Sequence, residues 1–127
     1  MSLAYFIVLD REDPGFDPFI NGKFLAKDAR RLNKVAKKLG LKRLNDFVSY
    51  EEGSAPRLLA RAAGANPTHW FDPDEGAVWA RTLLERFRDD PRPLKHAEGV
   101  ISDLEECLEV LEKAKAAGTR WHFAIDI

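Results

Sequence analysis

The stretch LAYFIVL, residues 3–9, decides the fold class that is predicted for this chain of 127 residues. It is apolar at nearly every position and rich in aromatic and β-branched side chains, which is typical of a strand covered on both faces. The closing stretch WHFAIDI, residues 121–127, follows a period of two and predicts a second strand. The sequence therefore places one strand before and one strand after a longer middle section.

Three main helices are predicted in that middle section. Residues 25–39 carry apolar side chains at three- and four-residue spacing, and Gly40 is placed to end this helix. Asp72 is a suitable N-cap for a second helix, which stops before Pro91. A third helix ends at Gly118.

These elements predict an α+β fold, in which a small, mainly antiparallel sheet contains the N- and C-terminal strands and packs against three main helices. Two strands alone are marginal in water. We therefore expect a third strand from residues 16–20 or 44–50, or a second subunit that extends the sheet. Residues 44–50 equally fit one helical turn, and residues 55–64 fit a short helix. No linker divides the chain, so one globular domain over residues 1–127 is expected.

Composition indicates a soluble globular protein, with 45% hydrophobic and 32% charged residues. No apolar run approaches the roughly 20 residues that a transmembrane helix needs. The first ten residues lack the positive leader and cleavage site of a signal peptide. Cys107 is the single cysteine, which excludes an internal disulfide and favours a reducing compartment. We therefore expect a cytoplasmic protein that does not bind membranes.

Charge is segregated along the chain, although the formal net charge is only -1. Residues 23–43 carry nine Lys and Arg against one acid, Asp28, whereas residues 98–112 carry six acids and no Lys or Arg. The basic face can be solvated, paired with the acidic third helix, bound to a protein partner, or bound to nucleic-acid phosphates. Nucleic acid is the less favoured partner, since the stretch lacks interleaved aromatic residues and the sequence pI is near 6.3.

The acidic stretch LDREDPGFDPFINGK, residues 9–23, raises the question of a metal site. An EF-hand loop counted from Asp10 fails, because proline stands at its fifth position and Asn21 at its twelfth. The stretch is interpreted as turns and solvated acids that can pair with the basic helix, and a non-standard cation site stays open. Phe16 and Phe19 are expected to pin it to the core. Loops longer than about 12 residues are often functional, so it is a candidate partner-binding surface.

Signals for catalysis are few. The three histidines lack metal-ligand spacing, and no nucleophile or phosphate-binding motif is present. If the terminal strands are antiparallel, Asp10 lies near His122 and can orient its imidazole as a general base. If they are parallel, Asp10 instead neighbours Asp126. A small hydrolase-type enzyme that uses His122 with Asp10 or Asp17 is therefore one hypothesis, while Cys107 is expected to be inert packing.

The segments YFIVLDREDPGFDPFINGKFLA, WFDPDEG and WHFAIDI resemble a group of short uncharacterised bacterial proteins, over most of the chain. That group has no assigned activity, so the resemblance implies no functional residue. The closing ISDLEECLEVLEKAKAAGTRWHFAIDI is similar to the end of the YfbM-like domain family. This second likeness covers only the C-terminal quarter, and it implies architecture: a long helix, a glycine and a last strand.

The leading functional hypothesis is a non-enzymatic protein that binds another protein as an interaction, regulatory or immunity-like module, with a homodimer as one form of such binding. It is motivated by the lack of catalytic motifs and by the segregated charge. Nucleic-acid binding through the basic helix 23–43 is the alternative. No cofactor or metal is implied. The candidate interaction surface comprises Asp13, Phe16, Asp17, Lys27, Arg30, Arg31, Lys34 and Trp70.

Overall fold

A computed structural model of the chain describes residues 3–50, 66–67 and 69–126, and the α+β class is confirmed. The short helix expected at residues 55–64 lies outside the described residues. The elements in chain order are β1 (Ala4–Leu9), α1 (Lys23–Lys27), α2 (Ala29–Lys38), a 3-10 helix (Leu44–Phe47), β2 (Ser49–Tyr50), β3 (Asn66–Pro67), α3 (Pro73–Asp89), α4 (Ala97–Ala117) and β4 (Trp121–Asp126).

The sheet is built around the two terminal strands, as predicted. β1 and β4 pair antiparallel along their whole length. Among the described residues this sheet has two strands, so the expected third strand is not found there. The segment 44–50 forms one 3-10 turn and β2, and Val48 makes a single parallel bridge to Phe123 in β4. Residues 16–20 form no strand, but Gly22 bridges β1. β2 in turn pairs in parallel with β3.

An aromatic cluster forms the centre of the core, between the inner face of the sheet and α3. The ring centroid of Phe47 lies 4.9 Å from that of Trp121 and 5.4 Å from that of Trp79. All three side chains are buried. Trp79 stands at the margin of the apolar stripe of its helix in sequence, but contacts with Phe47 and Phe123 cover its ring in the fold. Burial of such large rings is a main source of stability in a domain of this size.

The helix ends follow the sequence signals closely. Gly40 and Gly118 have φ angles of 72° and 70°, in the left-handed region that glycine adopts without strain. Asp72 is the N-cap of α3, and its carboxylate accepts a backbone N–H two residues on at 2.8 Å. Glu75, which is spaced for a capping box, instead pairs with Lys42 at 3.3 Å. Local sequence signals therefore determine where these helices begin and end. Long-range contacts can still give a side chain a different partner, as Lys42 does for Glu75.

The tight approach of α3 to β4 yields a first prediction. A Cβ atom at Gly76 would overlap the indole ring of Trp121, which is buried and has no room to move. We expect Gly76→Ala to lower the free energy of unfolding by about 1–3 kcal/mol, in spite of the better helix propensity of alanine. Urea denaturation followed by circular dichroism measures this change.

Gly99→Ala in α4 is the matched control for this prediction. A Cβ atom there would meet the ring of Phe24, which is only half-buried and can move aside. We expect a smaller loss than for Gly76→Ala. A Gly76→Ala variant as stable as the wild type would contradict the packing described here.

Candidate functional site

A groove of about 760 Å³ lies along α2, beside the loop that joins α3 to α4. We call it the cationic groove, because seven of the residues that line it are Lys or Arg. Apolar side chains of Val35, Leu39 and Pro93 also line it, together with one acid, Asp28. The seven cations are Lys27, Arg30, Arg31, Lys34, Lys38, Arg86 and Lys95.

Within the described part of the chain, the cations of the groove form no ion pair, although the charge of Arg86 contributes, after the hydrogen bonds of Arg92, to lowering the pKa of Asp90. All seven are exposed, and none belongs to any of the ion pairs formed there. Lys27 lies 5.3 Å from the ring of Phe24, a cation–π contact. The carboxylate of Asp28 is buried and accepts the backbone N–H of His96 at 2.6 Å. The groove therefore carries a large excess of positive charge.

Buried polar contacts hold α2 so that its basic face points to solvent. The single helix predicted over residues 25–39 is in fact two helices, because the chain turns at Asp28. Asn33, on the inner side, accepts the N–H of Leu44 at 2.7 Å. Asp103 in α4 accepts the N–H of Leu25 at 3.1 Å and so fixes α1 in front of α2. With α2 held in this orientation, its Lys and Arg side chains lie on the solvent-exposed face.

Two of the arginines stand where the helix itself does not favour them. Arg30 and Arg31 are the second and third residues of α2, and the first turn of this helix holds no acid. The N-terminus of a helix carries a partial positive charge, which disfavours cations and favours carboxylates. The helix dipole therefore does not stabilise these two charges.

The acidic third helix, α4, does not neutralise this surface. Glu105 pairs with Arg88 at 3.5 Å, and Glu112 pairs with Arg81, so these acids of α4 form ion pairs with arginines of α3. Among the described residues, no acid of α4 forms an ion pair with α2. The pairing between basic and acidic helices that the sequence left open does not form there.

The acidic loop before α1 is built from turns. The carboxylate of Asp13 accepts the N–H of Gly15 at 3.3 Å, and that of Asp17 accepts the N–H of Phe19 at 3.0 Å. Phe16 packs against the core as expected. Phe19 is 70% exposed, so the prediction that it pins the loop is wrong. No acid of this loop forms an ion pair with a described residue.

The antiparallel pairing that would bring Asp10 towards His122 is present, but both side chains have structural contacts. The carboxylate of Asp10 accepts the N–H of Arg120 at 3.0 Å and closes the end of the strand pair. His122 is buried, with Nδ1 2.9 Å from the carbonyl oxygen of Phe123 and its ring centroid 4.7 Å from that of Trp70. These contacts give both side chains a structural role, and the general-base hypothesis stays a hypothesis.

The predicted interaction surface is thus divided by the fold. Three of its members, Asp13, Phe16 and Asp17, belong to the acidic loop, and Trp70 packs on His122, so none of these four lines the groove. The members that the fold brings together are Lys27, Arg30, Arg31 and Lys34. The predicted interaction surface omits Lys38, Arg86 and Lys95, which also line the groove, although Lys38 belongs to the basic stretch 23–43. Helical spacing places Lys38 on the same face as Lys34, but no local sequence signal indicates that Arg86 and Lys95 join them.

Comparisons with known proteins add no homologue: no family model, no curated protein and no solved structure matches this chain. The site is therefore interpreted from its own geometry.

The described residues provide neither a metal-binding cluster nor an accessible thiol. Within residues 3–50, 66–67 and 69–126, no three His, Cys, Asp or Glu side chains are grouped so that they can hold a metal ion. Cys107 is buried, and this burial, with the nearby charge of Asp103, raises the pKa of its thiol far above the usual range. Among the described helices, none combines the length and the apolar character needed to cross a bilayer.

Proposed function

We propose that this protein is a non-enzymatic interaction module, and that its cationic groove binds an acidic surface or segment of another protein. The observation that carries the proposal is the convergence of seven exposed cations with no ion-pair partner in the described chain. Like charges brought together repel one another, and a partner rich in carboxylates relieves that repulsion on binding.

Arginine strengthens the case for a carboxylate-bearing partner. Arg30, Arg31 and Arg86 reach the groove from two different helices. A guanidinium presents its N–H donors as a planar fork that pairs with a carboxylate through two parallel hydrogen bonds. Regulatory and immunity-like roles both fit such binding. The proposal places the protein in the cytoplasm, and it includes a second copy of the chain among the acidic partners.

Nucleic acid is the second candidate, because Arg31, Lys34 and Lys38 form a row along one face of α2. Phosphates spaced along a strand can follow such a row. No aromatic side chain lines the groove, however, and stacking of bases on aromatic rings is the usual support for single-strand binding. The formal net charge of -1 also disfavours a long polyanion outside the groove. We therefore favour a protein partner.

Reversing two charges tests the proposal without disturbing the fold. We expect the double variant Arg30→Glu/Arg31→Glu to unfold with a free energy within about 0.5 kcal/mol of the wild type or slightly above it, because glutamate suits the first turn of a helix. The partner is first identified by capture from a nuclease-treated lysate of native cells and then purified. We expect the double variant to bind it at least about tenfold more weakly, since two charge pairs become repulsive. Isothermal titration calorimetry measures the affinity.

Lys113→Glu is the matched control, because Lys113 is exposed on α4 and forms only a helical ion pair with Glu109 at 3.2 Å. It should bind the partner as the wild type does. Equal affinity of the wild type and the double variant would overturn the proposal. So would the absence of any protein that the wild type retains better than the double variant. Retention that nuclease treatment abolishes would assign the groove to nucleic acid instead.

A further inference from the structure

Exposed apolar side chains lie next to one end of the cationic groove. Among the described residues only four large apolar side chains are exposed, and two of them, Leu39 and Val78, lie at this end. Leu39 lines the groove itself and is 37% exposed. Val78 is 45% exposed and lines a neighbouring cavity of about 400 Å³.

The two cavities adjoin where α2 ends, at residues 39–41, and both are also lined by residues of α3. The chain passes from Leu39 in the first cavity directly to Gly40 and Leu41 in the second. On α3, Val78 and Arg86 are eight residues apart, which separates them by about 12 Å along the helix axis and by about 80° around it. Arg86 belongs to the first cavity and Val78 to the second. The surface thus has a cationic section followed by an apolar section.

The apolar section has side chains that can seat a partner. Leu41 lines it above the buried rings of Trp79 and Phe47, so the surface that it exposes is mainly aliphatic. Lys42 stands at its edge, where its ammonium group lies 5.5 Å from the ring of Phe47 and 3.3 Å from the carboxylate of Glu75. The charge of Lys42 is therefore already paired, and this section offers mainly apolar contact.

From this arrangement we propose that the groove binds an acidic peptide segment with an apolar anchor. The acidic side chains of the segment lie against the cations of α2, and one or two large apolar side chains at one end sit on Leu39 and Val78. This inference rests on the proposed function and names the partner's chemistry. A nucleic acid has no group that matches the apolar section, since no exposed aromatic ring is present there for a base to stack on.

Two labelled synthetic peptides test this inference by fluorescence anisotropy. Each has about 16 residues, a length that spans about 24 Å as a helix. Both carry a run of glutamates, followed by Leu-Phe in the first peptide and by Ser-Ser in the second. We expect the first peptide to bind about tenfold more tightly, which is the affinity that burial of one apolar side chain provides. Binding of both should weaken with salt.

Variants of the protein test which part of the peptide each section of the surface contacts. Leu39→Ser and Val78→Ser should each remove most of the preference for the Leu-Phe peptide. Leu3→Ser, a change at an equally exposed apolar residue away from the groove, should leave it unchanged. The double variant Arg30→Glu/Arg31→Glu should lose both peptides.

The outcomes separate this inference from the function on which it rests. If both peptides bind equally and only the arginine variant loses them, the apolar anchor is refuted and a cationic protein-binding groove stands. If a labelled oligonucleotide of similar length binds and neither peptide does, both proposals are overturned in favour of nucleic acid. If no probe binds at about 50 mM salt, where screening is weak, the groove has no role in anion binding and both proposals fail.

Discussion

Replacing Phe47 with alanine is expected to lower the free energy of unfolding by about 3–5 kcal/mol, a large part of the 5–15 kcal/mol typical of such domains. Phe47 is fully buried in the 3-10 helix between α2 and β2. Its ring centroid lies within 5.4 Å of those of Phe71, Trp79 and Trp121. These bulky rings come from separate elements, so they cannot collapse to fill the space that the ring leaves.

Phe19→Ala is the matched control for Phe47→Ala, because it removes the same ring from a site that is 70% exposed. We expect its effect to remain within about 0.5 kcal/mol. Urea denaturation followed by tryptophan fluorescence reports both changes, since Trp79 and Trp121 lie in the affected cluster. A loss below about 1 kcal/mol for Phe47→Ala would show that the cluster is not the centre of the core.

The second large effect is expected at Asp103, the carboxylate that joins α4 to the helices of the groove. It accepts the N–H of Phe24 at 2.9 Å and that of Leu25 at 3.1 Å. Asp103→Ala leaves both donors without this acceptor at a largely buried position. We expect the free energy of unfolding to fall by about 2–6 kcal/mol at acidic pH, from about 1–3 kcal/mol for each of the two unsatisfied donors.

The cost of removing Asp103 should depend on pH. Burial raises the pKa of this carboxyl to about 6, although the two N–H donors act in the opposite direction. An unfolded aspartate has a pKa of about 3.9, so the native state holds the proton more tightly. The contribution of Asp103 to stability is therefore full below about pH 4 and declines as the pH rises through 6.

Denaturation of the wild type and of Asp103→Ala between about pH 4 and pH 7 measures this decline. Asp103→Asn is the control, because the amide keeps an acceptor of similar shape but does not titrate. Relative to Asp103→Asn, the wild type should lose stability as the pH rises. A wild type that instead gains stability over this range, relative to the amide variant, would contradict a raised pKa.

Much of the architecture followed from local sequence signals. The apolar run at residues 3–9 and the alternation at residues 121–127 predicted two strands, because the period of two is a property of the extended backbone itself. Gly40 and Gly118 end their helices as predicted, since only glycine adopts the left-handed conformation without strain. The break at Asp28 was not predicted; its carboxylate accepts the N–H of His96, a long-range contact that no local sequence signal shows.

The candidate site was predictable only in part. Helical spacing identified Lys27, Arg30, Arg31 and Lys34 as one basic face, and these residues do share the groove. The acidic loop was assigned to the same surface on its composition. The carboxylates of Asp13 and Asp17 instead close local turns, and Phe19 is exposed.

By itself, the sequence determined the α+β class, the helix ends and the segregation of charge, because each depends on side chains that are close together in the chain. Only the tertiary structure decided which charges are neutralised. It placed the acids of α4 against α3, and it added Arg86 and Lys95 to the basic face of α2. Ion pairs and grooves depend on distances between separate elements, and those distances are fixed by the packing of the core.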